Sequence, residues 1–338
     1  MPKDYRIVLF DRIGGPEVLR LGHAPMREPM RGEVRIKVLA IGVTQGDAMF
    51  RSGTYLEQPT FPSGLGTEAC GVIESVGEDP GDFKVGDRVS SISSFSIPRY
   101  PLYGEYAVLP VTALFHTPAT FSHEEGAAWT LAYVPMYLAL FRECNLKMGE
   151  WVFLNAAAAT TSIAAMQMAK LAGARVIGAV RSREKAQLLQ GAGYDHVLIW
   201  SENIAAEVNA ISDGGVHVAM DPVLGPGTKQ LLAMMRHRGR VLFYGALSGP
   251  QIEASIYPMV LGALTLVGFT IYNYTGSVVN GLPRDAAALE AAVDAITFGT
   301  VAGALKPIIA RRFPLDEVVK AHQASAAGRH VGKIVLVP

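Results

Sequence analysis

Cysteine is almost absent from this chain of 338 residues: Cys70 and Cys144 are the only two. Two cysteines exclude a disulfide scaffold and any structural zinc site built from four thiolates, and both are expected to be ordinary buried small residues. Charge of one sign is missing as well. Lys plus Arg number 30 and Asp plus Glu number 30, which leaves no basic field to draw the chain to nucleic acid or to an anionic membrane. Although half the residues are hydrophobic, no apolar run approaches the roughly 18 residues needed to span a bilayer. The nearest candidate, Tyr257 to Phe269, is broken by Gly262 and Gly268. Met1 to Arg6 carry charge with no apolar stretch behind them, so a soluble, cytoplasmic protein without a cleaved leader is expected.

What is present changes character along the chain, and the length suggests two domains. The first third holds short β-type runs, Arg6 to Phe10, Glu33 to Ala40, Gly71 to Val76 and Asp87 to Ile92, with partial alternation and turn residues between them. Ser122-His-Glu-Glu125 has the form of a helix capping box, and a helical stretch follows toward Arg142, interrupted by Pro135. Strands and helices then alternate. Trp151 to Leu154, Arg175 to Val180, His196 to Ile199, Val216 to Met220 and Val241 to Tyr244 read as strands, with helices between them. That alternation predicts an α/β architecture with a doubly wound parallel sheet of Rossmann-like form. Helices over Arg284 to Phe298 and Leu315 to Ala327 and a terminal strand over Gly332 to Pro338 complete the reading. The simplest organisation is a β-rich domain built from both ends, residues 1–124 and 266–338, with a nucleotide-binding domain at 125–265 inserted.

The dinucleotide fingerprint G-x-G-x-x-G is also missing. The first strand–turn–helix of the inserted domain reads Asn155-Ala-Ala-Ala-Ala-Thr-Thr-Ser162, with Ala157, Ala159 and Ser162 where the glycines would stand. The replacements are small. Ala158, Ala159, Thr160, Thr161 and Ser162 are candidate phosphate contacts at a helix N-terminus, three of them with hydroxyls to donate; a plain strand–helix turn packed with small residues is the alternative. After the second strand, where an acidic residue usually accepts from the ribose 2′-hydroxyl, the chain carries Arg181-Ser182-Arg183-Glu184-Lys185. Three cations and a hydroxyl there suit a 2′-phosphate and favour NADPH, a solvated surface loop being the alternative.

A series of motifs runs in order from Gly14-Gly-Pro-Glu-Val-Leu19 and Gly42-Val-Thr-Gln-Gly-Asp47 through Arg51-Ser-Gly-Thr-Tyr55, Gly66-Thr-Glu-Ala-Cys-Gly71, Val85-Gly-Asp-Arg-Val89 and Tyr103-Gly-Glu-Tyr-Ala107. Asp221-Pro-Val-Leu-Gly225, Gly239 to Gly249 and Gly332-Lys-Ile-Val-Leu336 extend it across nearly the whole chain. Together these motifs resemble the medium-chain dehydrogenases/reductases, in particular the zinc-independent quinone oxidoreductases and enoyl reductases. The resemblance implies a Rossmann-like domain inserted in a GroES-like β-rich domain, a cleft holding nicotinamide and substrate, and a homodimer or a tetramer built from dimers. Zinc-dependent members place Cys and His where this chain has Thr44 and Thr67, and hydroxyls are poor zinc ligands beside Cys and His, so no metal is expected.

Without a Lewis acid, reduction of an activated C=C or a quinone by NADPH is the chemistry the resemblance implies, on a small-molecule carbonyl or quinone substrate. The alternatives are metal-free ketone or aldehyde reduction and a non-catalytic NADPH-binding protein. Tyr55 matches the tyrosine thought to assist protonation in enoyl reductases, although a structural loop aromatic is the alternative. Thr44, Thr67, Thr130 and Tyr133 are further pocket candidates. Gly245, Ala246, Leu247, Phe269 and Ile271 fall where relatives present backbone to the nicotinamide. Tyr244 matches an adenosine- or pyrophosphate-side position, and Lys333 is within reach of the cofactor phosphates, a surface charge being the alternative. The Thr-Ala-Tyr that bonds the nicotinamide amide in many relatives reads Pro135-Met-Tyr137 here.

Overall fold

The computed structural model describes residues 4–252, 254–276 and 281–338. Met1 to Lys3 of the leading segment, and Ser277 to Asn280 of the stretch from Ile271 to Leu282, lie outside the described residues. In chain order the first elements are strands β1 (Asp4–Leu9), β2 (Arg20–Pro25) and β3 (Glu33–Gly42), helix α1 (Gln45–Arg51), strands β4 (Ala69–Val76), β5 (Arg88–Ser91), β6 (Tyr106–Pro110) and β7 (Leu114–His116), and helices α2 (His123–Gly126) and α3 (Thr130–Tyr137). The alternating middle follows: β8 (Trp151–Leu154), α4 (Thr160–Leu171), β9 (Arg175–Val180), α5 (Arg183–Leu188), β10 (His196–Ile199), α6 (Ile204–Ser212), β11 (Val216–Asp221), α7 (Thr228–Ala233), β12 (Met235–Phe243), α8 (Ile256–Gly262) and β13 (Thr265–Gly268). The chain closes with α9 (Tyr272–Thr275), α10 (Ala286–Val301), β14 (Ile309–Pro314), α11 (Val318–Ala327) and β15 (Lys333–Val337).

Two compact units result. One comprises Met1–Ala132, Tyr272–Val301 and Lys306–Pro338; the other comprises Tyr133–Ile271 and Ala302–Leu305. The second unit begins at Tyr133 rather than at residue 125. The capping-box helix α2, with Ser122 Oγ accepting from Glu125 N at 3.2 Å, packs on β3 and β4 and so belongs to the first unit. Pro135 sits inside α3 rather than ending it, and the winding loosens to a π turn over Leu138–Glu143 directly afterwards.

In the first unit β3 is the central strand. It pairs with β4, β6 and β15, within a seven-stranded sheet running β14-β15-β3-β4-β5-β7 with β6 off its path. Neighbours on several sides leave β3 little solvent, and Val34, Ile36, Val38 and Ile41 all join one core with Phe10, Phe50, Ile73 and Leu336. Two charged groups go inside with it. Arg35, 1% exposed, bonds Glu74 and Glu28, each at 2.9 Å. Lys333 Nζ meets Glu68 Oε2 at 2.5 Å with both side chains buried. A buried charge is tolerated only when paired in this way. A side chain on Gly42 would collide with Ala127 O and Lys333 Cε, so the close approach that forms this pair requires glycine.

The second unit is a six-stranded, all-parallel sheet in the order β10-β9-β8-β11-β12-β13. Its central strand β8 is apolar throughout, with Trp151, Val152, Phe153 and Leu154 all buried, as a strand covered on both faces of a parallel sheet demands. The order reverses between β8 and β11, and in such sheets ligands bind beyond the carboxyl ends of the strands at that reversal. Among the described residues no helix is long and apolar enough to cross a membrane. Cys70 and Cys144 are free and buried.

Candidate active site

At the strand-order reversal, Asn155 follows β8 and Asp221 ends β11. Asn155 Nδ2 donates to Asp221 Oδ1 at 2.8 Å, tying the two strand ends together. Asp221 also accepts from the amides of Val223 and Leu224, and Asn155 Oδ1 accepts from Ala156 N at 2.8 Å. Ala156 then adopts φ 52°, the left-handed conformation that glycine would take without strain. The turn runs into α4, whose N-cap Ala159 offers no side-chain bond to the first amides of the helix. Those amides are left for an anion, which the helix dipole favours.

Small residues around the loop serve packing as well. A methyl on Gly178 of β9 would sit 2.7 Å from Tyr194 Cε1 and 2.8 Å from Ala157 Cβ. The Tyr194 hydroxyl donates to Ala157 O at 2.7 Å, so a tyrosine braces the loop from below. Ala158 is buried beside it. The expected hydroxyls divide: Ser162 Oγ donates to Asn155 O at 3.0 Å, which corrects its assignment as a phosphate donor through the side chain. Thr160 and Thr161 remain partly exposed at the helix start, and Tyr244 Oη approaches Thr161 Oγ1 at 3.4 Å.

The end of β9 is cationic. Arg181 and Arg183 are exposed, Lys185 is half-buried, and none of the three forms an ion pair among the described residues. Burial and then the charge of Arg181 push the Lys185 amine down. Ser182 caps α5 by accepting from Lys185 N at 3.3 Å, which leaves its own hydroxyl proton to donate. Uncompensated like charges beside a free hydroxyl suit a phosphate dianion. The next strand ends carry Tyr244 to Leu247 after β12 and Phe269 to Ile271 after β13. A methyl on Gly245 would lie 2.8 Å from Pro222 O, and Phe269 N donates to Phe243 O at 2.8 Å. Uncapped amides, a loop of small residues and unpaired cations together fit a 2′-phosphorylated dinucleotide laid along this edge.

In the first unit the second cluster centres on Asp47, which has no exposure to solvent. Its Oδ2 accepts from Thr44 N at 2.8 Å, Thr44 Oγ1 at 2.8 Å and Tyr103 Oη at 3.0 Å; its Oδ1 accepts from Thr67 Oγ1 at 3.3 Å. Burial raises its pKa, while the Thr44 and Tyr103 bonds and the charge of Lys333 act the other way. Thr44 and Thr67 stand 3.2 Å apart, oxygen to oxygen. The point where a methyl on Gly46 would sit is 3.4 Å from Thr44 Oγ1 and 3.8 Å from Tyr55 Oη, so Tyr55 flanks the same surface. Burial, followed by the neighbouring Tyr272, raises the Tyr55 pKa. Arg51 and His322 lie behind, with Arg51 Nη1 2.7 Å from His322 Nδ1; burial and Arg51 push that imidazole down to about 3, so it stays neutral. Among the described residues no three His, Cys, Asp or Glu side chains group as metal ligands.

Three sequence expectations are corrected by these placements. Lys333, expected at the cofactor phosphates, is buried and committed to Glu68. Thr130 is fully buried, donating to Glu68 Oε1 at 2.9 Å or Ser91 O at 2.6 Å, rather than lining a pocket. Tyr133 is a core aromatic of the second unit whose hydroxyl donates to Gln167 Oε1 at 2.7 Å. In each case a polar side chain found its partner inside. Sequence reasoning passed over Tyr194, Tyr272 and Ser93, none of which carries a local signal; Asp47 lay in a quoted motif without being assigned a part.

Comparison with known proteins places both units. Residues 30–119 match the family described as alcohol dehydrogenase GroES-like domain, and residues 161–287 the family described as zinc-binding dehydrogenase. The chain is 34% identical to a quinone oxidoreductase of Pseudomonas aeruginosa over 98% of this chain and 99% of that one. It is 30% identical to human quinone oxidoreductase over 98% and 97%. The Escherichia coli quinone oxidoreductase crystallised with NADPH superposes with a TM-score of 0.87 at 27% identity, covering 98% of this chain and all of that one.

The strain at Ala156 has a measurable consequence. Ala156→Gly relieves the left-handed conformation, and its melting temperature is expected to rise by about 2 °C, equivalent to roughly 0.5–1 kcal/mol. An unchanged or lowered melting temperature contradicts a left-handed Ala156.

Proposed function

We propose that this chain, which belongs to the medium-chain dehydrogenase/reductase superfamily in its quinone oxidoreductase-like branch, is an NADPH-dependent, metal-free reductase of activated C=C bonds and quinones. The observation that carries the cofactor half is the set of cations Arg181, Arg183 and Lys185, without ion-pair partners at the end of the second parallel strand. When bound, NADPH supplies a hydride, two electrons with a proton, to the β-carbon of an enone or enoyl thioester or to a quinone. The protein's part is to bind the phosphates on the amides of α4 and on the β9 cations, and to place the nicotinamide along Gly245 to Leu247 and Phe269 to Ile271.

The electron pair displaced from the C=C becomes an enolate, and its oxygen needs a hydrogen-bond donor. Thr44 and Thr67 are poorly suited, because their protons go to Asp47. That leaves Tyr55. Since burial disfavours its phenolate, Tyr55 serves better as a hydrogen-bond donor to the enolate oxygen than as the acid that gives up a proton. Water then supplies the proton to the α-carbon. The metal-free reading rests on donor chemistry: threonine hydroxyls held by a carboxylate stand where zinc enzymes of the family carry Cys and His.

Homodimer formation is part of the same proposal. Strand β13 is an edge of the parallel sheet, and beside it in sequence α8 exposes Ile256, Tyr257, Val260 and Leu261. An unpaired edge flanked by large exposed apolar side chains favours self-association through one shared patch. In light scattering, the wild type is expected at twice the chain mass and the Tyr257→Asp/Leu261→Asp variant at the chain mass. A monomeric wild type sinks the dimer.

For the cofactor, Arg181→Ala should weaken NADPH at least about 10-fold while changing NADH less than two-fold, since a lost charged contact to phosphate is worth roughly 1.5–3 kcal/mol. Equal weakening of both removes the 2′-phosphate assignment. For the donor, Tyr55→Phe should lower kcat with an enone and a quinone by about 10- to 100-fold and leave NADPH affinity nearly unchanged. Unaltered turnover takes Tyr55 out of the chemistry.

A further inference from the structure

Behind Tyr55 stand two further hydroxyls in the same unit. Tyr55 Oη lies 2.6 Å from Tyr272 Oη, and Tyr272 Oη lies 2.9 Å from Ser93 Oγ. The short helix α9 that carries Tyr272 is itself pinned to the same residue, because Thr275 Oγ1 donates to Ser93 O at 3.2 Å. A T-shaped contact with Phe50, ring centroids 6.4 Å apart, holds the Tyr55 ring against the core. Three hydroxyls in series are therefore fixed at both ends.

We propose that Tyr272 is a positioning residue for Tyr55. With Ser93 it sets the direction of the hydroxyl chain so that the Tyr55 proton points outward, to the acceptor's oxygen. This rests on the reading of Tyr55 as the donor.

Two directions of donation are open to such a chain. Donation from Tyr55 through Tyr272 to Ser93 would leave the Ser93 proton to find an acceptor further on. Ser93 is only 3% exposed, and its Oγ faces the two tyrosine hydroxyls, Tyr272 at 2.9 Å and Tyr55, to which it can also donate. A buried hydroxyl proton without an acceptor costs about 1–3 kcal/mol. Donation the other way, Ser93 to Tyr272 to Tyr55, satisfies the buried end and leaves the spare proton on Tyr55, the partly exposed end. Each bond in a directed chain also polarises the next, so Tyr55 donates more strongly than an isolated phenol. When negative charge develops on the acceptor oxygen, the donor is already aimed and no hydroxyl has to turn.

The assignment is tested by steady-state kinetics on the full chain with an enone and a quinone at saturating NADPH, using Tyr272→Phe, Ser93→Ala, Ser93→Thr, Tyr55→Phe and the Tyr55→Phe/Tyr272→Phe double variant. Tyr272→Phe keeps the ring and removes the hydroxyl; its kcat is expected to fall about 10-fold with the acceptor KM within about two-fold, the pattern of a bond that matters in the transition state. Ser93→Ala should lower kcat by a smaller factor, about three-fold, and Ser93→Thr, which keeps a hydroxyl, should restore it. In the Tyr55→Phe background, Tyr272→Phe should cost nothing further, because the group it aims is gone.

The outcomes separate the donor role of Tyr55 from the positioning role of Tyr272. Full turnover in Tyr55→Phe overturns the donor reading and the positioning role with it. A loss in Tyr55→Phe with unchanged kcat in Tyr272→Phe, or single losses that multiply in the double variant, overturns the positioning role alone. So does a Tyr272→Phe effect confined to KM. A fall in kcat common to Ser93→Ala and Ser93→Thr assigns Ser93 to packing and removes it from the chain.

Discussion

A carboxylate sealed from water must find its donors inside the protein, and Asp47 finds them in Thr44, Thr67 and Tyr103. This demand organises the chemical face of the first unit. It turns both threonine protons inward, at the two positions where zinc-dependent members of the family carry Cys and His. The capping box of α1 is the same set of bonds seen from the helix, since Asp47 N donates back to Thr44 Oγ1 at 3.1 Å. Behind the carboxylate, Lys333 pairs with Glu68, and Thr130 and the amide of Leu131 complete that glutamate's shell. With inner hydroxyls spent on buried charge, Tyr55 is the hydroxyl proposed to meet the acceptor.

The second unit solves a different problem, a strand-to-helix loop without glycine at the proposed phosphate site. Its left-handed turn is borne by Ala156 and held by Asn155, which also joins the two strand ends at the reversal of strand order. Glycine does appear one strand over, at Gly178, where it admits the Tyr194 ring that braces Ala157. Close packing has thus moved from the loop to the strand beneath it. The cost is local strain, the gain a cradle whose floor is fixed by side chains.

Much of this was legible in the sequence, for identifiable reasons. Parallel strands buried on both faces leave continuous apolar runs such as Trp151 to Leu154, and the Ser122–Glu125 capping box is a local code. Strand β13 was hidden inside the apolar stretch ending at Phe269, where no period separates helix α8 from strand. The cations after β9 stood out because charge at a strand end needs a reason. Polar residues were harder. Nothing in the neighbourhood of Thr130, Tyr133 or Lys333 tells whether the side chain faces a ligand or a buried partner, and all three turned to partners. Tyr272 lies 217 residues from Tyr55; no spacing rule reaches so far, and only the fold brings the two hydroxyls together.

Hydroxyl-assisted conjugate reduction differs from carbonyl reduction in where the hydride lands. The direct measurement is the position of deuterium, read by NMR, in the product of an enone incubated with the protein and 4-deuterated NADPH under a metal chelator. Metal-free conjugate reduction predicts a saturated ketone carrying deuterium on the β-carbon, with turnover undiminished by the chelator. Deuterium on the carbinol carbon of an allylic alcohol, or turnover that vanishes with chelation and returns with zinc, would contradict it.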